Sequence, residues 1–193
     1  LMLQMQSQAE RFGTRIEYVN VEACRLTDGG DQTLLLEGGV ELTARTLIIA
    51  TGASPRWLGL PAESRLRNRG VSACATCDGA FFAGKPMAVV GGGDSAMEEA
   101  MFLSRFATRV YVIVRRDVLR ASKLMAARAQ ANPKLEFLWN SVVSDLLGEE
   151  KLERIKVLNK VTGVEQVLDC NGFFTALGHI PNTSLVRDFI ELD

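Results

Sequence analysis

Histidine, cysteine and long apolar runs are all scarce in this chain of 193 residues. One histidine and four cysteines leave few metal ligands, and a tetrahedral zinc site needs four at suitable spacing. No apolar run approaches the roughly 18–20 residues that span a bilayer, and no secretory signal pattern opens the chain. The 22 basic and 23 acidic residues nearly balance, which does not favour a nucleic acid or a membrane surface as partner. We therefore expect no metal, no nucleic-acid partner, no membrane contact and a cytoplasmic location.

The remaining composition is typical of a globular protein. Hydrophobic residues make up 47% of the chain and charged residues 23%, which is enough apolar material for a core. The length suits one domain, or one domain with part of another. The chain begins with Leu1 rather than Met, so we expect a segment of a longer protein.

The order of apolar runs and turns predicts two kinds of region. A helix is predicted over 1–12, and a small antiparallel β-meander from short runs at 15–19, 21–26, 33–37 and 40–43, followed by an apolar strand at 46–50. From Pro86 onwards, strands at 87–90 and 110–114 alternate with helices at 94–106 and 123–130, which indicates a parallel sheet covered by helices. Further β-type segments follow at 135–138, 142–147, 152–158, 164–168 and 172–176.

A glycine-rich turn lies between the first of these parallel strands and its helix. It fits the pattern G-x-G-x-x-A and consists of Gly91, Gly92, Gly93, Asp94, Ser95 and Ala96. The glycines permit a tight turn and a close approach of backbone to a pyrophosphate, while a small residue at Ala96 lets helix and sheet pack closely. The free N–H groups at the helix start would face the phosphates, with Asp94 as the N-cap. A tight turn without a ligand is the alternative, but the strand–turn–helix context favours dinucleotide binding.

Arginines follow the next strand, about 20 residues after the glycines. They are Arg115, Arg116 and, one turn later, Arg120. An NAD site usually places a carboxylate here, whereas arginines suit the 2′-phosphate of NADP because guanidinium offers forked donors. Arginines alone would indicate only a solvated basic turn, but after the glycine turn they favour NADPH.

Cys74 and Cys77 form a C-x-x-C pair followed directly by Asp78. This spacing allows a disulfide at the first turn of a helix, whose N-terminus lowers thiol pKa, and Asp78 could carry a proton to or from a thiolate. A structural zinc site would need two more ligands, and Cys24 and Cys170 are isolated in the sequence. Zinc binding is therefore a less favoured interpretation of the pair than two buried cysteines without a function. Redox chemistry is favoured over both. For Cys24, Cys170 and the methionines we expect core positions.

A nicotinamide and a dithiol in one chain indicate transfer of two electrons to a disulfide. A flavin usually stands between them.

At this point the chain resembles bacterial-type, low-molecular-weight thioredoxin reductases. The resemblance rests on five motifs in order: Ala50-Thr51-Gly52, Gly70–Gly79 with the cysteine pair, Gly91–Ala96, the arginines at 115, 116 and 120, and Gly178–Thr183. The flavoprotein of alkyl hydroperoxide reductase shares the layout, but its cysteines typically enclose Pro-His rather than Ala75-Thr76.

The resemblance implies an α/β fold: a Rossmann-like NADPH-binding domain (parallel sheet plus β-meander) with a partial FAD domain. Residues 1–53 would belong to the FAD domain, 54–179 would form the NADPH and redox-disulfide domain, and 180–193 would return to the FAD domain. Ala50, Thr51 and Gly52 would lie near the flavin, and Gly178 in a hinge motif, with hinge strands near 51–55 and 177–182. The family works as a homodimer and passes electrons from NADPH through FAD and the disulfide to thioredoxin. Cys77 would lie nearest the flavin, Cys74 would attack thioredoxin and Asp78 would be the acid/base.

Two departures from the family pattern qualify this implication. Val114 stands where a histidine usually precedes the arginines, which predicts weaker or slightly altered NADPH contacts rather than a switch to NADH. The N-terminal glycine-rich FAD fingerprint and the C-terminal part of the FAD site are missing, so this chain alone is expected to bind FAD poorly and not to turn over. The alternatives are a flavin-free NADPH-binding module acting as a redox sensor or docking domain, and a scaffolding fragment.

Overall fold

A computed structural model describes residues 1–192, which form two compact units. One contains residues 1–52 and those from 181 onwards, and the other contains residues 53–180.

The first unit is a helix and a three-stranded antiparallel sheet. The helix is α1 (Met2–Arg11), and the strands, in sheet order, are β1 (Val21–Arg25), β2 (Gln32–Leu36) and β3 (Val40–Ala44). The predicted helix and these three strands are confirmed. The predicted strands at 15–19 and 46–50 are wrong, since neither segment is in a strand. An apolar extended segment becomes a strand only when a neighbour pairs with its backbone.

The second unit is built on a five-stranded parallel sheet. The remaining strands of the chain, in order, are β4 (Ala53–Pro55), β5 (Val71–Ser72), β6 (Met87–Val90), β7 (Val110–Ile113), β8 (Leu135–Leu138), β9 (Ser141–Leu147), β10 (Arg154–Asn159), β11 (Glu165–Asp169), β12 (Gly172–Thr175) and β13 (His179–Pro181). The parallel sheet has the order β5-β12-β6-β7-β8, and β9, β10 and β11 form an antiparallel sheet with β10 central. The predicted α/β class with a parallel sheet and a meander is confirmed.

Helices and the antiparallel sheet cover the two faces of the parallel sheet. The helices are α2 (Pro61–Leu66), α3 (Ala75–Asp78), α4 (Asp94–Leu103) and α5 (Lys123–Gln130), with a 3-10 turn over Gly79–Phe82. All four residues of β6 are buried, and they alternate between two core clusters: Met87 and Val89 with α4, Ala88 and Val90 with the antiparallel strands. Continuous apolar strands of this kind are expected where a parallel sheet is covered on both faces.

Helix α2 was not predicted from the sequence. Proline and glycine at Pro55, Gly59 and Pro61 are typical of irregular chain, but Pro61 lies at the first helical position, where its missing N–H costs nothing. Among residues 1–192, no helix is long and apolar enough to cross a membrane.

Candidate active site

The glycine turn connects β6 to α4 and is shaped by close packing. Gly91 has a φ of +151°, and a Cβ there would lie 2.6 Å from the Ala176 carbonyl oxygen and 2.9 Å from the Ala96 Cβ. Ala96 is fully buried. Glycine at 91 and a small residue at 96 are therefore both needed for the first turn of α4 to approach the end of β12.

The N-cap prediction for Asp94 is wrong. The helix begins at Asp94, and Gly93 is its N-cap. The Asp94 carboxylate instead accepts hydrogen bonds from Ser122, from the backbone N–H at 2.8 Å and the hydroxyl at 2.9 Å. Ser122 is itself the N-cap of α5, so these bonds tie the starts of the two helices together. Ser95, next in the turn, is exposed.

The three arginines share a cleft of about 440 Å³ with the glycine turn. Gly91, Gly92, Arg115, Arg116 and Arg120 all line it, at the carboxyl ends of β6, β7 and β12. The strand order reverses here, since β7 lies on one side of β6 and β12 on the other, and such switch points are where open α/β sheets bind ligands.

Backbone hydrogen bonds fix the arginine loop to the glycine turn. The Gly92 carbonyl accepts from the N–H of Arg120 at 2.7 Å and from that of Ala121 at 3.0 Å. The loop that carries the arginines after the end of β7 is thus attached to the glycine turn itself.

Val114 also lines this cleft, but its side chain is nearly fully buried. Its Cγ1 lies 3.2 Å from the position a Cβ would take at Gly92. The side chain therefore packs the turn against the core, and a glycine at 92 leaves it the room to do so.

Cys74 and Cys77 form a disulfide at the start of α3. Cys74 is the N-cap, and its Sγ accepts a hydrogen bond from the Cys77 N–H at 3.3 Å. The Cys74 N–H donates to the Ser72 hydroxyl at 3.0 Å, so the end of β5 positions the first cysteine. Cys77 is exposed and Cys74 is half-buried. The pair is therefore accessible to a reaction partner.

Asp78 ends this short helix and lines a groove of about 480 Å³. The groove also contains basic side chains, Arg69, Lys85 and Lys151, and the exposed ring of Phe81. The groove therefore places an exposed aromatic ring and three basic side chains beside the short helix that carries the disulfide. Phe81 was not predicted as a site residue, although its place four residues after Cys77 could have indicated it.

Residues 50–52 and Gly178 line neither the arginine cleft nor the groove at Asp78. Thr51 Oγ1 donates to the Asn182 carbonyl at 2.6 Å, and the Asn182 side-chain amide donates to the Thr51 carbonyl at 3.0 Å. Ala50, Thr51 and Gly52 are all exposed. Gly178 has a φ of +85°, and its carbonyl accepts from the Arg56 N–H at 3.0 Å.

Three further features were missed because they depend on burial or on contacts between distant residues. Glu63 is buried, and its carboxylate accepts from the N–H groups of Leu58 and Gly59 at 3.0 and 2.8 Å. The Arg67 guanidinium lies over the Trp57 ring, 4.0 Å from its centroid. Burial raises the pKa of Glu99 in α4 to about 7.

The remaining sulfur-containing residues divide between core and surface. Cys24 and Cys170 are buried free thiols, as expected, and burial raises the pKa of Cys170. Met87 and Met97 are fully buried, but Met2 and Met5 are exposed, so the core prediction is wrong for those two. Within residues 1–192, no group of three or more His, Cys, Asp or Glu side chains could hold a metal ion.

A switch-point cleft lined by glycines and arginines lies in the same unit as a C-x-x-C disulfide. Residues 4–193 match the family described as pyridine nucleotide-disulphide oxidoreductase, and the chain belongs to that family.

Within the family, the chain is similar to thioredoxin reductases. It is 48% identical over 193 residues to the thioredoxin reductase of Streptomyces coelicolor, covering all of this chain and 60% of that protein. It is 46% identical to a bifunctional thioredoxin reductase/thioredoxin of Mycobacterium leprae, covering 42% of it. The crystal structure of Lactococcus lactis thioredoxin reductase superposes with a TM-score of 0.81 at 36% identity, covering 97% of this chain and 61% of that one. The chain thus spans about 60% of the length of the two thioredoxin reductases.

Proposed function

We propose that this chain is the central part of an NADPH-dependent, FAD-mediated reductase of thioredoxin that acts through Cys74 and Cys77. Residues 53–180 would be the NADPH and disulfide domain, and residues 1–52 with those from 181 onwards part of the FAD domain. The supporting observation is that one unit holds both the formed disulfide and a cleft joining the glycine turn to three arginines.

The residues of the cleft fit NADPH. The ten-residue helix α4 begins just beyond Gly93, and its first N–H groups and the positive end of its dipole would face the pyrophosphate. Arg115, Arg116 and Arg120 would hold the 2′-phosphate through charge-assisted hydrogen bonds.

The residues present fit FAD only in part. A bound flavin would take a hydride as two electrons and pass them to the disulfide. The segment that would face it, Ala50–Gly52, is exposed and is held to Asn182. We infer that this chain alone binds FAD weakly and does not turn over, and that hinge strands near 51–55 and 177–182 would connect the two domains.

The reaction with thioredoxin requires the reduced pair. The Cys74 thiolate attacks one sulfur of the partner's disulfide, whose S–S bond breaks as a mixed disulfide forms. Cys77 then attacks the Cys74 sulfur, restores the Cys74–Cys77 disulfide and releases the reduced partner. Asp78, next to Cys77 in α3, would give or take the proton. A homodimer and a cytoplasmic location, where thiols stay reduced, belong to the same proposal.

The nucleotide site is tested by titrating the 193-residue chain with NADP⁺ and NAD⁺. Replacing both Arg115 and Arg116 by Ala removes two charge-assisted contacts, each about 1.5 kcal/mol, so NADP⁺ affinity should fall about 100-fold while NAD⁺ affinity changes little. Arg128→Ala is the matched control, because that arginine is exposed on α5 and does not line the cleft. Equal affinity of the parent chain for the two nucleotides would refute the NADPH assignment.

The redox function is tested on a full-length protein containing these residues. We expect a flavin absorbance band and NADPH-driven reduction of thioredoxin. The control variant Cys24→Ala should retain both at the level of the parent. Cys74→Ser or Cys77→Ser should abolish the reduction of thioredoxin. A protein that binds NADPH without flavin and leaves thioredoxin oxidised would instead be a redox sensor or docking module. Gel filtration of the same protein tests the homodimer.

A further inference from the structure

Trp57 lies between two cavities of the second unit. It lines the nucleotide cleft together with Arg56 and Leu58. It also lines a separate groove of about 300 Å³ that reaches Cys74. Trp57 therefore forms part of the wall of both the nucleotide cleft and the cysteine groove.

The backbone next to Trp57 is firmly anchored. The buried Glu63 carboxylate accepts the N–H groups of Leu58 and Gly59, and the Arg56 N–H donates to the Gly178 carbonyl. The segment on either side of the indole is thus held in place, so the ring's position is set by its backbone and by what packs on its faces.

A short chain of contacts leads from the indole to the cysteine. The Arg67 guanidinium lies over the Trp57 ring at 4.0 Å from its centroid, close enough for a cation–π interaction. Arg67 also forms a parallel bridge with Val71, and the next residue, Asn68, donates its N–H to the Val71 carbonyl at 3.1 Å. Arg67, Asn68 and Val71 line the groove together with Cys74.

We propose that Trp57 is a nucleotide-contacting residue that couples the nucleotide cleft to the Cys74 groove. A dinucleotide that packs on the indole restricts the motion of Trp57 and of the Arg67 side chain resting on it. The ordered wall narrows the approach to Cys74, so bound nucleotide slows attack on this thiol by small reagents. The inference rests on the proposed nucleotide-binding function and adds a residue outside the glycine and arginine motifs.

The first test is fluorescence of the 193-residue chain carrying Trp139→Phe, which leaves Trp57 as its single tryptophan. Trp139 stacks on Phe137 and does not line the cleft, so this change leaves the site intact. NADP⁺ does not absorb where tryptophan emits and therefore quenches only by contact, so saturating NADP⁺ should quench most of the Trp57 emission. The reverse variant, Trp57→Phe with Trp139 retained, should show clearly weaker quenching.

The second test measures alkylation of Cys74 by iodoacetamide in a Cys77→Ser background. The other two cysteines are buried, so Cys74 is the reactive thiol, and mass spectrometry follows its adduct. Saturating NADP⁺ should slow alkylation at least about fivefold, the low end of coupling between two sites. Trp57→Leu should remove this protection, while Trp57→Phe, which keeps an aromatic ring, should retain part of it.

The outcomes separate this inference from the proposed function. Calorimetry that shows no NADP⁺ binding to the parent chain contradicts the proposed function itself. Binding that leaves both the Trp57 emission and the Cys74 alkylation rate unchanged overturns only the role of Trp57. If Trp57→Leu does not fold, the two measurements on chains that retain Trp57 still decide.

Discussion

Replacing Gly91 by Ala should destabilise the second unit and weaken nucleotide binding together. The new methyl group would lie 2.6 Å from the Ala176 carbonyl oxygen and 2.9 Å from the Ala96 Cβ, at a φ of +151°. The carbonyl belongs to the backbone directly after β12, and Ala96 is fully buried in α4. Neither atom is at the end of a flexible side chain, so the backbone has to move.

The expected magnitude follows from two costs. A non-glycine residue in such a backbone conformation costs about 1–3 kcal/mol, and forcing an extra methyl into a packed site costs about 1–3 kcal/mol more. The free energy of unfolding should therefore fall by about 2–6 kcal/mol, a large part of the roughly 5–15 kcal/mol typical of a native protein.

Gly93→Ala is the matched control in the same turn. A Cβ at Gly93 would meet no atom within 4 Å, and the φ of this residue is negative, so the free energy of unfolding should change by less than about 1 kcal/mol. The added methyl would nevertheless stand where the backbone must approach the pyrophosphate. We expect Gly93→Ala to fold normally and to bind NADP⁺ at least about tenfold more weakly, as one lost contact of about 1.4 kcal/mol implies.

Urea unfolding followed by circular dichroism gives the free energies, and calorimetric titration with NADP⁺ gives the affinities. The role assigned to packing at Gly91 is refuted if Gly91→Ala unfolds at the same urea concentration as the parent. It is also refuted if the two alanine variants lose the same amount of stability.

Two further changes have definite expected outcomes. Burial raises the pKa of Glu99 from 4.5 to about 7, so between these pH values the folded chain holds a proton that the unfolded chain releases. The contribution of the protonated Glu99 to the free energy of unfolding is therefore complete below about pH 4.5 and is lost as the pH rises through about 7. The Glu99→Gln variant stays neutral, so it should be more stable than the parent by about 1 kcal/mol near pH 8, a figure reduced for partial exposure, and as stable as the parent near pH 4.5. Urea unfolding at both pH values checks this, and a stability difference that does not change with pH would contradict it. Glu63→Ala leaves the N–H groups of Leu58 and Gly59 without their buried acceptor, so the free energy of unfolding, measured by thermal unfolding, should fall by about 2–4 kcal/mol. Glu63→Gln keeps one acceptor oxygen and should lose about half as much stability.

The motifs of the site could be predicted because each is local. The glycine turn, the helix after it and the arginines belong to one strand–helix–strand unit, whose geometry is set by residues close in sequence. The same holds for Cys74 and Cys77, which the first turn of α3 brings together.

The errors come from features that need a partner from elsewhere. Residues 46–50 have a strand-like pattern, but an apolar run forms a strand only when another pairs with it. Asp94 has the residue type of an N-cap, yet its carboxylate is taken by Ser122, 28 positions later.

The sequence by itself determined the motifs of this protein, a cysteine pair, a glycine-rich turn and the arginines after it, because residue type and short spacing define each of them. Only the tertiary structure decided how these parts are arranged. Strand β12 pairs beside β6 from more than 80 residues away, and in doing so it brings the Ala176 carbonyl against Gly91. Burial likewise made Glu63 an anchor, and packing placed Trp57 between the cleft that holds the arginines and the groove that reaches Cys74. The pairing of β12 with β6 and the contact at Gly91 depend on the whole fold, since they join residues that are far apart in sequence.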